Sequence, residues 1–240
     1  MLATASIKLL EKVSANFLPS ANTFMYNWNM RELGNIYRGL TSAKSDFYPK
    51  PEKVLRLWVH ESSRVFRDRL VDETDQAVYD KLLDEVCKEC FKGVEQAKYF
   101  VEPMTFTSFA GQPGGEPVYL PLPDGDKGQD LLNRTLLDKL KEYNETNSIM
   151  DLVLFQAAMD HVCRIARIIT SPGGHAMLVG VGGSGKQSLS RLAAFICDYE
   201  TVQLSVTSKF TVTDLREALQ VVYKDAAVKD MGQIFLMTDG

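Results

Sequence analysis

Apolar residues in the first hundred positions recur at helical intervals, and turn residues break the run at several points. Residues 3–15 predict a helix with Ile7, Leu10 and Val13 on its inner face. After a connector carrying Pro19, Phe24 and Tyr26, a second helix is expected at 29–40. Asn29 is its N-cap, Met30, Leu33, Ile36 and Tyr37 share one face, and Gly39 marks its end. Pro49 and Pro51 introduce a third helix at 51–71, turning Val54, Leu57, Trp58, Val65 and Phe66 inward. Residues 74–98 repeat the pattern with Tyr79, Leu82, Leu83, Val86, Cys90, Val94 and Ala97. Up to this point the pattern predicts an all-helical unit.

The periodicity then stops. Residues 103–126 hold Pro103, Pro113, Pro117, Pro121 and Pro123 among Gly111, Gly114, Gly115 and Gly125, which is loop chemistry. Val118-Tyr119-Leu120 is a candidate short strand inside it. Helices are expected again at 128–144 and 149–169, the second with Phe155, Met159, Val162, Ala166 and Ile169 on one face. Pro172-Gly173-Gly174 ends it. Three strands are predicted beyond: 176–181, 202–206 and 233–239, with a helix at 214–228 capped by Thr213. The expected organisation is a helical unit over 1–102, a Pro/Gly-rich connector over 103–127, and an α/β unit over 128–240.

Composition narrows the function classes. A hydrophobic content of 45% with 24% charged residues is ordinary for a soluble globular chain. A net charge of −4 weighs against nucleic-acid binding by bulk charge. No apolar run reaches the length of a membrane span, so no membrane partner is expected. Cys87-Lys-Glu-Cys90 has C-x-x-C spacing, but it lies inside a helical pattern with no second pair, and free thiols are expected. His60, His161 and His175 form no ligand spacing and are read as structural.

The chemistry concentrates at Gly180-Val181-Gly182-Gly183-Ser184-Gly185-Lys186-Gln187-Ser188. An apolar run precedes it, and Leu189, Leu192, Ala193 and Ile196 follow at helical spacing. Strand, glycine-rich loop, lysine and helix form a phosphate-binding P-loop. Backbone N–H groups must point at the phosphates, and side chains would block that approach. The helix N-terminus adds unpaired N–H groups, and Lys186 supplies a mobile positive charge. With 16 glycines and 16 lysines in 240 residues, the bare G-x-x-x-x-G-K spacing arises by chance about 0.07 times. The position after the lysine, usually a Ser or Thr that holds magnesium, is Gln187, with Ser188 one place later. Gln233-Ile-Phe-Leu-Met-Thr-Asp239 reads as the second nucleotide strand, whose acid, Asp239, organises magnesium through water. The next residue is Gly240, which cannot act as a general base.

With these residues in place the chain resembles a dynein heavy chain of the axonemal type. Phe17-Leu-Pro-Ser20 and Asn27-Trp-Asn-Met-Arg-Glu-Leu-Gly-Asn-Ile-Tyr-Arg-Gly-Leu40 resemble the lid of the third AAA+ module. The stretch from Met150 to Arg167, the loop from Gly180 to Leu192 with its Gly-Lys-Gln-Ser, and Ile234 to Asp239 resemble the opening half of the fourth. The resemblance implies an α/β fold: a partial P-loop AAA+ parallel sheet of three strands preceded by an all-helical lid. In the strand order it implies, 176–181 finds no neighbour within these residues, while 202–206 and 233–239 adjoin.

The resemblance also carries functional expectations. ATP or ADP, with magnesium, is expected at Gly180 to Ser188, with Asp239 on the metal through water and Ser188 a weaker ligand. Arg31 stands where the family places a second sensor arginine, reaching toward nucleotide of the preceding module. Leu152 to Phe155 stand where the family packs apolar residues near adenine. The whole protein is expected to be an ATP-driven microtubule motor of the ciliary axoneme. Its partners would be its own AAA+ modules, intermediate and light chains, and microtubules. These 240 residues alone are expected to be inactive, and the site regulatory with weak or no hydrolysis. The alternatives are a structural ring module that does not turn over nucleotide, and a small-metabolite P-loop kinase.

Overall fold

Nine of the fifteen residues of one helix, Pro51–Val65, are buried, far more than a one-sided amphipathic pattern predicts. The computed structural model describes residues 1–100, 104–111, 117–204 and 210–238. They fall into two units, 1–108 with 112–128 and 109–111 with 129–240.

The first unit contains α1 (Leu2–Asn16), α2 (Met30–Thr41), α3 (Pro51–Val65) and α4 (Glu73–Cys90). α3 lies among the others, with Leu55, Trp58, Val59 and Val65 in one apolar core with Leu9, Val13, Ile36, Tyr79, Leu83 and Val86. A helix surrounded in this way buries polar groups too, and each must find a partner. Trp58 Nε1 donates to Ser6 Oγ at 2.8 Å, and Ser6 Oγ donates to Leu2 O at 3.0 Å. The His60 ring lies 4.4 Å from Phe106, centroid to centroid. Its Nδ1 meets Met104 O at 2.9 Å, and Nε2 lies 2.8 Å from Tyr119 Oη. A carbonyl only accepts, so Nδ1 carries a proton. Phe106 and Tyr119 are brought there by a short antiparallel pair, β1 (Phe106–Thr107) and β2 (Leu120–Pro121), in register Phe106↔Pro121.

The start of α2 is held with equal care. Asn29 caps it, accepting from the Arg31 N–H at 2.8 Å. Arg69 donates to both Glu32 carboxylate oxygens at 3.1 Å while lying over the Trp28 ring at 4.9 Å. Tyr26 Oη donates to Asp75 and accepts the Val71 N–H.

The second unit is layered helix on helix and helix on sheet. α5 (Asp126–Thr146), α6 (Gln156–Thr170) and α7 (Lys186–Ile196) come first, then β3 (Glu200–Gln203), α8 (Val212–Val228) and β4 (Gln233–Leu236). α6 packs on α7, and Tyr143 meets Phe195 edge to face at 5.3 Å. β3 and β4 pair in parallel from Glu200↔Gln233 to Gln203↔Leu236. Burial pushes the thiols of Cys87 and Cys197 up to about 12, so both stay protonated at neutral pH. Among the described residues no helix is long and apolar enough to cross a membrane.

Several expected elements shift. The expected three-stranded sheet has two strands among the described residues, because 176–181 takes no regular secondary structure and pairs with no described strand. An extended segment becomes a sheet strand only when its N–H and C=O groups bond a neighbour. β3 and β4 adjoin, as the implied strand order requires, and positions 205–206 and 239 lie outside the described residues. The helix expected from 149 starts at Gln156, because Asp151 to Phe155 alternates exposed and half-buried, which is strand-like spacing. α4 ends at Cys90, where Gly93 turns the chain at φ +96, and α3 ends at Val65, followed by a 3-10 turn at Arg67–Arg69. Ile7 and Met30, expected inside, are 45% and 69% exposed. The cap of α8 is Thr211 rather than Thr213, because Thr211 and Asp214 close a reciprocal capping box.

Two outcomes follow from this packing. A Cβ on Gly39 would stand 1.6 Å from Glu61 Oε2 and 2.3 Å from its Cδ, and Glu61 is 0% exposed. Gly→Ala in an open helix gains about 0.5–1 kcal/mol, whereas overpacking costs about 1–3 kcal/mol, so the clash wins. Gly39→Ala is expected to lose about 1–2 kcal/mol, read as a lower denaturant midpoint at unchanged slope. A midpoint at or above the parent's would show that Glu61 swings clear. At α8, bonds from the Thr211 hydroxyl and Thr211 N–H hold the Asp214 carboxyl below its ordinary value. The cap therefore contributes above the ordinary carboxylate range and is lost as pH falls through the depressed value. Protection factors of the amides at the start of α8, taken relative to the intrinsic exchange rate at each pH, should fall on acidification in the parent and stay unchanged with pH in Asp214→Ala. The same acid response in both would remove Asp214 from the cap.

Candidate functional site

The turn after α6 sets up the site. Gly173 adopts φ +63, and the Gly174 N–H bonds Ser171 O at 2.9 Å. The chain then runs without regular secondary structure to Val181, turns through Gly182 to Gly185, and enters α7 at Lys186. Gly183 and Gly185 sit at φ +75 and +78, where a side chain would be strained. Gly182 is different: its φ is not left-handed and nothing lies within 4 Å of where a Cβ would be. Neither strain nor crowding in this chain asks for glycine there, so the loop is open on that side.

Lys186 is folded back into the loop. Its Nζ donates to Gly180 O at 2.8 Å, Val181 O at 2.6 Å and Ser184 Oγ at 3.2 Å. α7 has Gly185 at its N-cap and no side chain capping it. Its first helical bond runs from the Leu189 N–H to Gly185 O, so the amides of Lys186, Gln187 and Ser188 precede the helical ladder. A half-buried cation thus stands beside three N–H groups at the positive end of a helix dipole, next to open space. That donor set fits a polyphosphate.

The metal side is thinner. Gln187 is exposed and Ser188 half-buried, and Asp239 lies outside the described residues. Among the described residues no group of three or more His, Cys, Asp or Glu is placed to hold a metal ion. Leu152 approaches the loop, its Cδ1 4.0 Å from where a Cβ on Gly185 would stand, whereas Phe155 is 63% exposed. Arg31 belongs to the first unit, exposed on the first turn of α2. Its guanidinium has no hydrogen bond or ion pair among the described residues.

One set of residues had no sequence signal. Arg191 Nη2, on α7, donates to Gln203 Oε1, and Gln203 Nε2 donates to Thr238 Oγ1 at 3.2 Å. These positions lie far apart along the chain and belong to no motif. Only the pairing of β3 with β4 beside α7 brings them together.

Comparison with known proteins gives the site its setting. The family described as P-loop containing dynein motor region D4 matches residues 150–240, and the AAA+ lid domain matches residues 2–101. The chain is 50% identical to the flagellar outer arm dynein beta chain of Chlamydomonas reinhardtii, over 99% of this chain and 5% of that one. It is 43% identical to dynein axonemal heavy chain 17 of Homo sapiens, with the same coverage. It is 41% identical to the ciliary dynein beta chain of Heliocidaris crassispina, again over 99% and 5%. The chain therefore spans about 5% of the length of the curated relatives it matches. An AAA+ lid followed by a P-loop dynein motor region, with this identity along almost every residue, makes the chain a homologue of one stretch of the axonemal dynein heavy chains.

Proposed function

We propose that the loop from Gly180 to Ser188 holds an adenine nucleotide, ATP or ADP, within the motor ring of an axonemal dynein heavy chain. The observation that carries this reading is the Lys186 ammonium, held by loop oxygens at the uncapped start of α7. Its present acceptors are neutral, and a phosphate oxygen is a stronger one. On nucleotide entry Lys186 would exchange its bonds to Gly180 O and Val181 O for phosphate. The amides of 186–188 would supply the rest of the cradle.

In this reading residues 1–102 form the lid of a preceding module, 103–127 the connector, and 128–240 the first half of the next AAA+ core. Arg31 faces nucleotide of the preceding module, and Leu152 lines the adenine side. Asp239, through water, and more weakly Ser188 would be the residues to hold magnesium. The whole protein works as an ATP-driven microtubule motor in the ciliary axoneme. It acts together with its own AAA+ modules and with intermediate and light chains. The names of the relatives and the ciliary setting those names carry support this assignment.

The site is regulatory in this reading. Magnesium would supply charge neutralisation at the phosphates, and Gln187 offers no hydroxyl where it is usually held. Gly240 follows Asp239 where hydrolysing relatives carry a glutamate, so no side chain there polarises a water. A kinase reading gains nothing from the structure.

Two measurements test this. Lys186→Ala in the heavy chain should weaken adenine-nucleotide binding at this site by about 1.5–3 kcal/mol, ten- to a hundredfold. Equal binding by variant and parent would remove the P-loop assignment. Lys186-dependent ATP turnover at this site should be at least about a hundredfold below the usual ~10 per second of enzymes. Rapid Lys186-dependent hydrolysis would replace the regulatory reading with a catalytic one.

A further inference from the structure

The last turn of α5 is fixed to the helix of the phosphate loop. Tyr143, buried there, meets Phe195 of α7 edge to face. The next residue, Asn144, turns its side chain onto the backbone of Met150. Its Oδ1 accepts from the Met150 N–H at 2.8 Å, and its Nδ2 donates to Met150 O at 3.2 Å. Two residues further on is Leu152, whose Cδ1 lies 4.0 Å from where a Cβ on Gly185 would stand. The stretch from Met150 to Phe155 has no helix or strand of its own, so a side chain that bonds both backbone groups of one residue there carries weight. We propose that Asn144 is a positioning residue for the base of the nucleotide: by clipping Met150 it holds Leu152 at the adenine side of the loop, and its loss weakens binding through the base and not through the phosphates.

The chemistry of the clip suits that role. A carboxamide presents an acceptor beside a donor, as a peptide group does, and only one orientation of the Asn144 amide satisfies both bonds. Holding the N–H and the C=O of Met150 together restrains both of its backbone angles. Register matters in this stretch. Asp151, Val153 and Phe155 are exposed while Leu152 and Leu154 are half-buried, so a slip of one residue would carry Leu152 away from the loop. Contact between an aromatic base and an aliphatic side chain is short-ranged. A radial gap of about 0.5–1 Å already forfeits a quarter to a half of it. The phosphates, by contrast, meet Lys186 and the amides of 186–188, none of which bonds Asn144. The two halves of the ligand therefore depend on different parts of the chain.

The inference rests on the proposed nucleotide reading, in which Leu152 lines the adenine side, and the test separates the two. Radiolabelled ADP and radiolabelled pyrophosphate are each titrated onto the intact heavy chain by equilibrium dialysis in EDTA, which keeps metal out, with Lys186→Ala as the blank for this site. Asn144→Leu removes both bonds at nearly constant volume. It is expected to weaken the Lys186-dependent binding of ADP about tenfold and to leave that of pyrophosphate within about twofold. Asn144→Ala, which adds no bulk, should give the same split, and retained pyrophosphate binding reports that the loop is folded. Leu152→Ala should also weaken ADP alone. Asn144→Leu placed on top of it should add little, because the clip acts through Leu152. Unchanged ADP binding in both Asn144 variants, equal loss of ADP and pyrophosphate, or a full further loss in the double variant overturns the inference while the nucleotide site stands. ADP binding that Leu152→Ala leaves unchanged removes the adenine side from the reading and this inference with it. ADP binding that Lys186→Ala leaves unchanged sinks the nucleotide reading as a whole.

Discussion

The first three amides of α7 precede the helical ladder, and no side chain caps them. Most features of the candidate site depend on that one condition. N–H groups without an internal partner make a helix start attractive to an anion, and the dipole adds to it. The glycine loop matters because it brings those amides to an open space, with left-handed turns at Gly183 and Gly185. Lys186 matters because its long side chain curls back over the same space, resting on loop oxygens. A Ser or Asp cap at position 185 would satisfy the amides internally and compete with the phosphate.

The first unit meets the opposite demand. There, polar groups are taken deep into a helical core and paired one by one. Trp58 with Ser6, His60 between Met104 and Tyr119, and Glu32 with Arg69 each satisfy a buried group across distant parts of the chain. Such pairs add little net stability, but any of them left half-made is costly. They pin helix positions as apolar contacts alone do not. Gly39 belongs to the same economy of space, letting α2 approach the buried Glu61 closely.

The second unit leaves apolar surface open beside its loop. Met177, Val179 and Val181 are all at least 78% exposed, on a stretch that pairs with no strand among the described residues. The contrast with α7, where Leu192, Ala193 and Ala194 are fully buried, is one of partners rather than of residue type. That stretch has the β-branched and apolar residues of a core strand but no strand neighbour among the described residues.

Local periodicity and turn chemistry determined the helices, the Asn29 cap, the break at Pro172 to Gly174 and the phosphate loop. Each of these is set by residues a few positions apart, and a helix or a tight turn needs no distant partner to be recognised. The capping box at Thr211 was equally local, and Asp214 three residues on was its signal. Tertiary structure decided what depends on neighbours far along the chain. It made β3 and β4 a pair and left 176–181 without a partner among the described strands, it brought Leu152 up to Gly185, and it buried nine of the fifteen residues of α3. It also assembled Arg191, Gln203 and Thr238, three polar residues with no spacing in common. A strand is defined by the hydrogen bonds of another segment, and a polar contact by the fold that closes the distance, so neither is written in the order of residues alone.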